Sequence, residues 1–302
     1  MIKNGVLLLK KLNLVFVFSL LFIISCKSLP EAETNKVKAL DLIDGKSSFY
    51  LSVPSDVDND LVQRLIKMNV SNISDSDVKS ISDRIDSMYI GLNKQRNKTT
   101  IQAAVNSNIP HKYIPTLLSK KKGWDNTSIK FEGPATEYKI YSQNGIDLAF
   151  PSDNILCLGR NTDFMLGKYH EIYNYQQDEL EPLPDFSELN EDIYNWLEGS
   201  DTEIRFYTVQ PQTYLTSLLG TNLDLSLISV YGSFKVDPEH SDMYLLDFVF
   251  NFKSSFFAKT GKTLLGIAFG LSSGEIDTPT NTCIKISGIQ LKKSQIYKLL
   301  VL

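Results

Sequence analysis

Between Met243 and Phe252 every second residue is large and apolar: Tyr244, Leu246, Phe248, Phe250 and Phe252. Side chains alternate between the two faces of a sheet, so these five form one apolar stripe, with Asp247 and Asn251 on the other face. A half-buried antiparallel sheet is the structure such a pattern specifies. The residues leave two uses of that stripe open: packed core, or the wall of a concave apolar groove for a lipid or a cell-wall fragment.

Strand-like and helical spacings then order the second half. Strands are expected over 203–209, 226–236, 243–252 and 282–290, helices over 211–219 and 255–269, and a short closing helix over 294–300. Pro211 starts the first helix and Gly220 follows it, because proline lacks only a donor that the first turn leaves unused, and glycine reaches the left-handed cap. The order β-α-β-β-α-β is that of a split βαβ, or ferredoxin-like, unit. The first half gives strands over 47–53, 87–93, 99–106, 137–142, 146–150 and 154–158. Helical spacing follows Pro54 through Leu61, Val62, Leu65 and Ile66, returns at Val78, Ile81, Ile85 and Met88 behind cap candidates at 74–77, and closes the half at 163–173. Asn144 and Gly145 mark a hairpin.

The two halves open alike. Phe49, Tyr50, Val53 and Pro54 precede Val62, Leu65 and Ile66, as Phe206, Tyr207, Val209 and Pro211 precede Leu215, Leu218 and Leu219. The expected fold class is therefore α+β: two tandem split-βαβ (ferredoxin-like) domains, antiparallel sheets with helices on one face, at 38–175 and 199–302. Residues 176–198 supply a polar linker with Pro182 and Pro184, then a bridging helix carrying Phe186, Leu189, Ile193 and Trp196. Each domain is long enough to bury its own core.

At the start of the chain Lys3, Lys10 and Lys11 lead into an apolar run over 12–24, and small Ser25 stands before Cys26. A positive start, an apolar middle and a small-residue end are the parts of an export signal. The run is shorter than the ~20 apolar residues of a membrane span, and Lys10 and Lys11 block its extension. Ile23, Ile24, Ser25 and Cys26 resemble the lipobox of bacterial lipoproteins, with a branched apolar residue three before an invariant cysteine and a small one just before it. Ile23 and Ser25, where leucine and glycine or alanine are commoner, resemble the relaxed lipoboxes of spirochaetal lipoproteins. The resemblance implies a signal peptide over 1–25, lipid attachment at Cys26, acylation of the new amino terminus with a chain such as palmitate, and a tether over 26–37. It also implies a membrane partner held through that lipid. Lys27, where an aspartate retains many such proteins in the inner membrane, implies the outer one.

Loss of the three signal lysines moves the formal charge from −4 to −7. A mildly acidic body excludes a nucleic-acid partner, which needs a concentrated basic surface. The one dense basic run, Lys120, Lys121 and Lys122, reads as cations at a helix end before Gly123, with a phosphate-headgroup contact as the alternative. Cys157 and Cys283 sit in apolar strand-like runs far apart, so they offer no metal spacing, and a bond between them stays open.

Three motifs resemble chemistry and lack its parts. Gly270, Ser272 and Gly274 spell G-x-S-x-G, but His111, His170 and His240 all precede Ser272, so the order serine, acid, histidine cannot be made and only a triad in another chain order stays open. Gly261, Lys262 and Thr263 end like a phosphate-binding loop, with Phe256 where its first glycine belongs. Asp56, Asp58 and Asp60 begin like a calcium loop, but Leu61 replaces the turn glycine and Lys67 the bidentate glutamate, so these acids read as a helix start. No cofactor or metal is expected, and the role expected is binding or scaffolding, not catalysis, with an envelope protein as a possible partner. A carrier or sensor of an apolar ligand would show an apolar cavity between sheet and helices; an envelope hydrolase would show perturbed titratable groups in a cleft.

Overall fold

The computed structural model describes residues 37–70, 73–95, 98–132, 137–160, 162–177, 186–219, 224–272 and 275–300. The expected signal peptide over 1–25, Cys26 and residues 178–185 of the expected linker lie outside the described residues. Lys36–Leu302 forms one compact unit.

In chain order the strands are β1 (Phe49–Pro54), β2 (Ile85–Gln95), β3 (Lys98–Ser107), β4 (Asp125–Lys130), β5 (Glu137–Gln143), β6 (Ile146–Ser152), β7 (Ile155–Gly159), β8 (Ile204–Thr208), β9 (Leu227–Val236), β10 (Met243–Phe252), β11 (Ile276–Thr280) and β12 (Cys283–Lys292). The helices are α1 (Asn59–Asn69), α2 (Asp75–Ser82), α3 (Ile114–Leu117), α4 (Thr162–Gln177), α5 (Glu191–Glu198), α6 (Pro211–Leu219), α7 (Ser255–Phe269) and α8 (Lys293–Leu300). Among the described residues all twelve strands join one sheet in the order β11-β12-β10-β9-β8-β1-β2-β3-β7-β6-β5-β4. The pairings are antiparallel throughout.

This topology corrects the expectation of two ferredoxin-like units. In a split βαβ unit the helical crossover skips a strand, so the strands interleave. Here α6 returns the chain from β8 to its own neighbour β9, and the passage from β10 through α7 and β11 leads to β12, which again lies beside β10. The halves also share the sheet: Phe49 faces Thr208, Tyr50 faces Tyr207, Leu51 faces Phe206 and Ser52 faces Arg205. All six residues of β1 are buried. A strand covered on both faces loses the alternation of a half-exposed one, and Phe49–Pro54 reads as a nearly continuous run for that reason.

Helices lie on both faces, which corrects the expectation of one. Phe49, Leu51 and Val53 point into a core shared with α1, α2, α3, α6, α7 and α8. Tyr50 points the other way, into a second core closed by α4, α5 and a 3-10 turn at Ala39–Leu42. Val37, placed at the end of the tether, is buried in this second core.

Local chemistry explains the ends of elements. Asp58 caps α1 by accepting from the Leu61 N–H at 3.2 Å, and Ser74 caps α2 by accepting from the Asp77 N–H at 3.1 Å. Such caps satisfy donors the first turn leaves bare. The helical spacing from Val78 to Met88 holds only to Ser82; Ile85 and Met88 belong to β2, where Met88, Ile90 and Leu92 alternate into the core. Strand β10 alternates buried and half-buried along its whole length, as its sequence requires.

Candidate functional site

Beside α1 and α2 the first core is incompletely filled. A cavity of about 100 Å³ lies between these helices and strands β2, β3, β6 and β7. Leu65 and Ile66 of α1 and Ile81 of α2 form its roof, Ile90, Ala103 and Leu156 its floor, and Trp124 one side. Ala103 is the smallest side chain on that floor, and its partner across the ladder is Ile90. Charge enters the lining only at Asp77 and Lys122, whose Oδ2 and Nζ are 3.9 Å apart and partly exposed. Lys122 is positioned by the turn the sequence marked as a helix end: Lys120–Lys122 is a 3-10 turn, and Gly123 follows at φ 86°. Gln143 donates to the Lys122 carbonyl at 3.0 Å and braces that turn.

The second half packs more closely. Under β8, β9 and β10 a void of only about 40 Å³ remains. Aromatic rings fill most of this space: Phe49 stacks on Phe206 at 6.0 Å and lies 4.7 Å from Tyr214, whose hydroxyl is 3.0 Å from Ser48 Oγ.

The chemical motifs fall apart in three dimensions. Gly270 is the left-handed cap of α7 at φ 68°, so Ser272 leaves a helix where a nucleophile elbow enters one. Its hydroxyl donates to Glu275 Oε2 at 2.6 Å, and this bond together with the Ser272 N–H holds the Glu275 carboxyl below its ordinary range. Gly261 and Lys262 lie in the middle of α7, with no loop to cradle a phosphate. Asp58 is a helix cap, and no group of three or more potential metal ligands occurs among the described residues. His170 is buried against Phe131, its Nε2 2.9 Å from the Glu132 carbonyl. Cys157 and Cys283 are free thiols; burial pushes the Cys157 pKa up to about 12, which makes it inert.

Sequence reasoning named none of the cavity residues as a site. By spacing Ile85 fits a helix, Met88 fits both that helix and the strand over 87–93, and Ala103 is one small residue inside a strand. The readable signal was that Ala103 interrupts a run in which Ile101 and Val105 are bulky on the same face.

These features define a class: a three-layer body, helices on both faces of one antiparallel sheet, with an apolar cavity under one helical layer. The family model described as "Outer membrane-associated lipoprotein TP0453" matches residues 34–297, and the chain belongs to that family. It is a bacterial lipoprotein of the cell envelope, lipid-anchored and associated with the outer membrane. Crystal form I of TP0453 is similar at 17% identity with a TM-score of 0.66, covering 88% of this chain and 97% of that one. Form III is similar at 18% and 0.64, and form IV at 17% and 0.61, each covering 88% of this chain and 98% of the other. At such identity the likeness shows the fold alone. No curated protein matches the chain.

Proposed function

We propose that this lipoprotein holds a single apolar chain in the cavity beneath α1 and α2, while a lipid on Cys26 keeps its body at the membrane. The cavity itself supports the reading: apolar on its walls, charged only at Asp77 and Lys122. Apolar walls of this kind bind water poorly and gain from contact with an apolar occupant. An aliphatic segment entering the void makes that contact, and a charged head would remain at the mouth beside Lys122. The role is binding, without catalysis.

A second feature favours contact between the body and a bilayer. Phe256 is 73% exposed and Ile267 75% exposed on α7, along a stripe that also carries Thr260 and Thr263. Ile228, 57% exposed, and Val209 lie at the same end of the sheet as Phe256, because the Lys253 N–H donates to Ser226 and Thr208 faces Val230. Lys253 and Lys259 flank Phe256 and are exposed. Apolar residues rimmed by lysine suit an anionic lipid surface.

One experiment separates the parts. The full-length protein, a Cys26→Ala variant and an Ala103→Leu variant are titrated with a pyrene-labelled fatty acid and fractionated from cells. Cys26→Ala should lose acyl labelling and leave the membrane fraction yet keep probe binding. Ala103→Leu should stay membrane-bound and lose the probe. Unchanged probe binding in Ala103→Leu sinks the cavity reading; membrane retention and labelling of Cys26→Ala sink the anchor.

A further inference from the structure

On the opposite face of the sheet from the apolar cavity, a polar hollow of about 300 Å³ opens where the chain enters β1. Gly91, Asn93, Thr100 and Gln102 of β2 and β3 form its floor, the turn from Asp44 to Ser47 one wall, and Arg160 the other. Its volume stands at the lower end of ligand pockets, roughly 300–1,000 Å³, and suits one sugar-sized ring.

The floor is preorganised. Gln102 is held at both ends of its amide: Oε1 accepts from the Asp44 N–H at 3.3 Å and Nε2 donates to Ser47 Oγ at 3.1 Å. Ser47 is buried, and because its oxygen accepts that bond its own hydrogen is available to a ligand. Gly91 keeps the space open: a Cβ there would stand 2.4 Å from Ser47 Oγ, so any side chain would displace the hydroxyl. Asp44 is fixed by the Lys46 N–H at 2.5 Å, which occupies Oδ1 and leaves Oδ2 to accept.

Two cations border the hollow, Lys46 on the same turn as Asp44 and Arg160 on the other wall. Lys46 and Arg160 are both exposed, and among the described residues Arg160 has no ion-pair or hydrogen-bond partner. A guanidinium presents a planar fork that matches a carboxylate with two parallel bonds. Hydroxyl and amide donors and one carboxylate acceptor around a hollow of this size suit ring hydroxyls, and the cation on the far wall suits an acid group. We infer that this hollow binds a carboxylate-bearing sugar, with Arg160 on the carboxylate and Asp44 and Ser47 on the ring hydroxyls. This site is separate from the apolar cavity and stands or falls without it.

The test uses purified full-length protein in detergent and ligand-observed saturation-transfer NMR with two probes, N-acetylmuramic acid and N-acetylglucosamine, which share a ring and differ by a lactyl carboxylate. N-acetylmuramic acid should receive saturation, and N-acetylglucosamine should bind roughly tenfold more weakly, the value of a charge-assisted hydrogen bond. Arg160→Gln, at an exposed position that leaves the fold intact, should bring the first probe down to the second. No transfer to either probe, equal transfer to both, or an unchanged response in Arg160→Gln overturns the assignment.

Discussion

Tyr244 donates its phenol hydrogen to Asp58 Oδ2 at 2.5 Å, joining residues 186 apart in sequence. The same oxygen lies 2.9 Å from Lys293 Nζ, and the other caps α1 through Leu61. Arg64 of α1 lies over the Tyr297 ring of α8 at 4.2 Å. One buried carboxylate thus fastens the first helix of one half to the central strand and last helix of the other.

Removing that carboxylate should therefore cost far more than removing the phenol. Asp58→Ala leaves Lys293, itself largely buried, without its counter-charge, and about 3–5 kcal/mol should be lost. Tyr244→Phe removes one hydrogen bond and leaves the ion pair, for about 1 kcal/mol. Urea denaturation of the two variants checks the ranking; equal losses would contradict it.

Alkali should unfold the protein. Burial raises the phenols of Tyr50, Tyr194 and Tyr244 above the ordinary value of 10.0, and pushes Tyr138 up to about 12. As pH rises past 10 the unfolded chain releases these protons while the folded chain keeps them, so unfolding becomes easier. The slope is about 1.4 kcal/mol per pH unit for each tyrosine so held. The contribution of these tyrosines is complete below pH 10 and falls above it; denaturant midpoints from pH 8 to 11 measure the fall, and a flat profile would be incompatible with buried phenols.

Gly261→Ala sets two effects against each other. Alanine favours a helix over glycine by about 1 kcal/mol, which alone would stabilise α7. A Cβ at 261 would stand 2.3 Å from the Phe252 ring, whose side chain is fully buried and cannot yield. Overpacking of this kind costs about 1–3 kcal/mol, so a net loss is expected in thermal melts. A higher midpoint would show that the ring moves freely.

Cavity size should govern stability with opposite signs on enlarging and filling. Leu156→Ala widens the floor and should lose about 2–5 kcal/mol, part of which added fatty acid restores. Ala103→Leu without ligand should keep its fold, because the void accepts the added methyl groups. Calorimetry with and without fatty acid reads both.

The pattern of strands and helices was legible because each obeys a short-range rule. Pro211, Gly270 and the alternation of β10 fix their elements by geometry that the local chain controls. The helix spacing through Ile85 and Met88 misled because residues three apart also fit a strand with a register shift, and β2 carries one between Ile85 and Ser87. Strands β4 and β11 were missed since Asp125, Asn126 and Thr127, like Thr278 and Pro279, lie at the sheet's exposed edges and need no apolar pattern. The likeness of the two openings was visible, but its meaning was not. Strands β1 and β8 begin halves that share one sheet, a pairing over long range that no local preference encodes. The polar hollow escaped for the same reason, since Ser47, Gly91, Gln102 and Arg160 meet only after three strands have paired.

The seam between β1 and β8 dictates how this chain can be delivered. Thr208 donates to the Ser48 carbonyl across 160 positions, so the segment that emerges first waits for one that emerges much later. Until then the translocating polypeptide exposes a raw β-strand border, the kind that sticks to other chains. Phe49–Pro54, buried on both faces in the finished body, is therefore the segment with most apolar surface left bare until the second half has crossed.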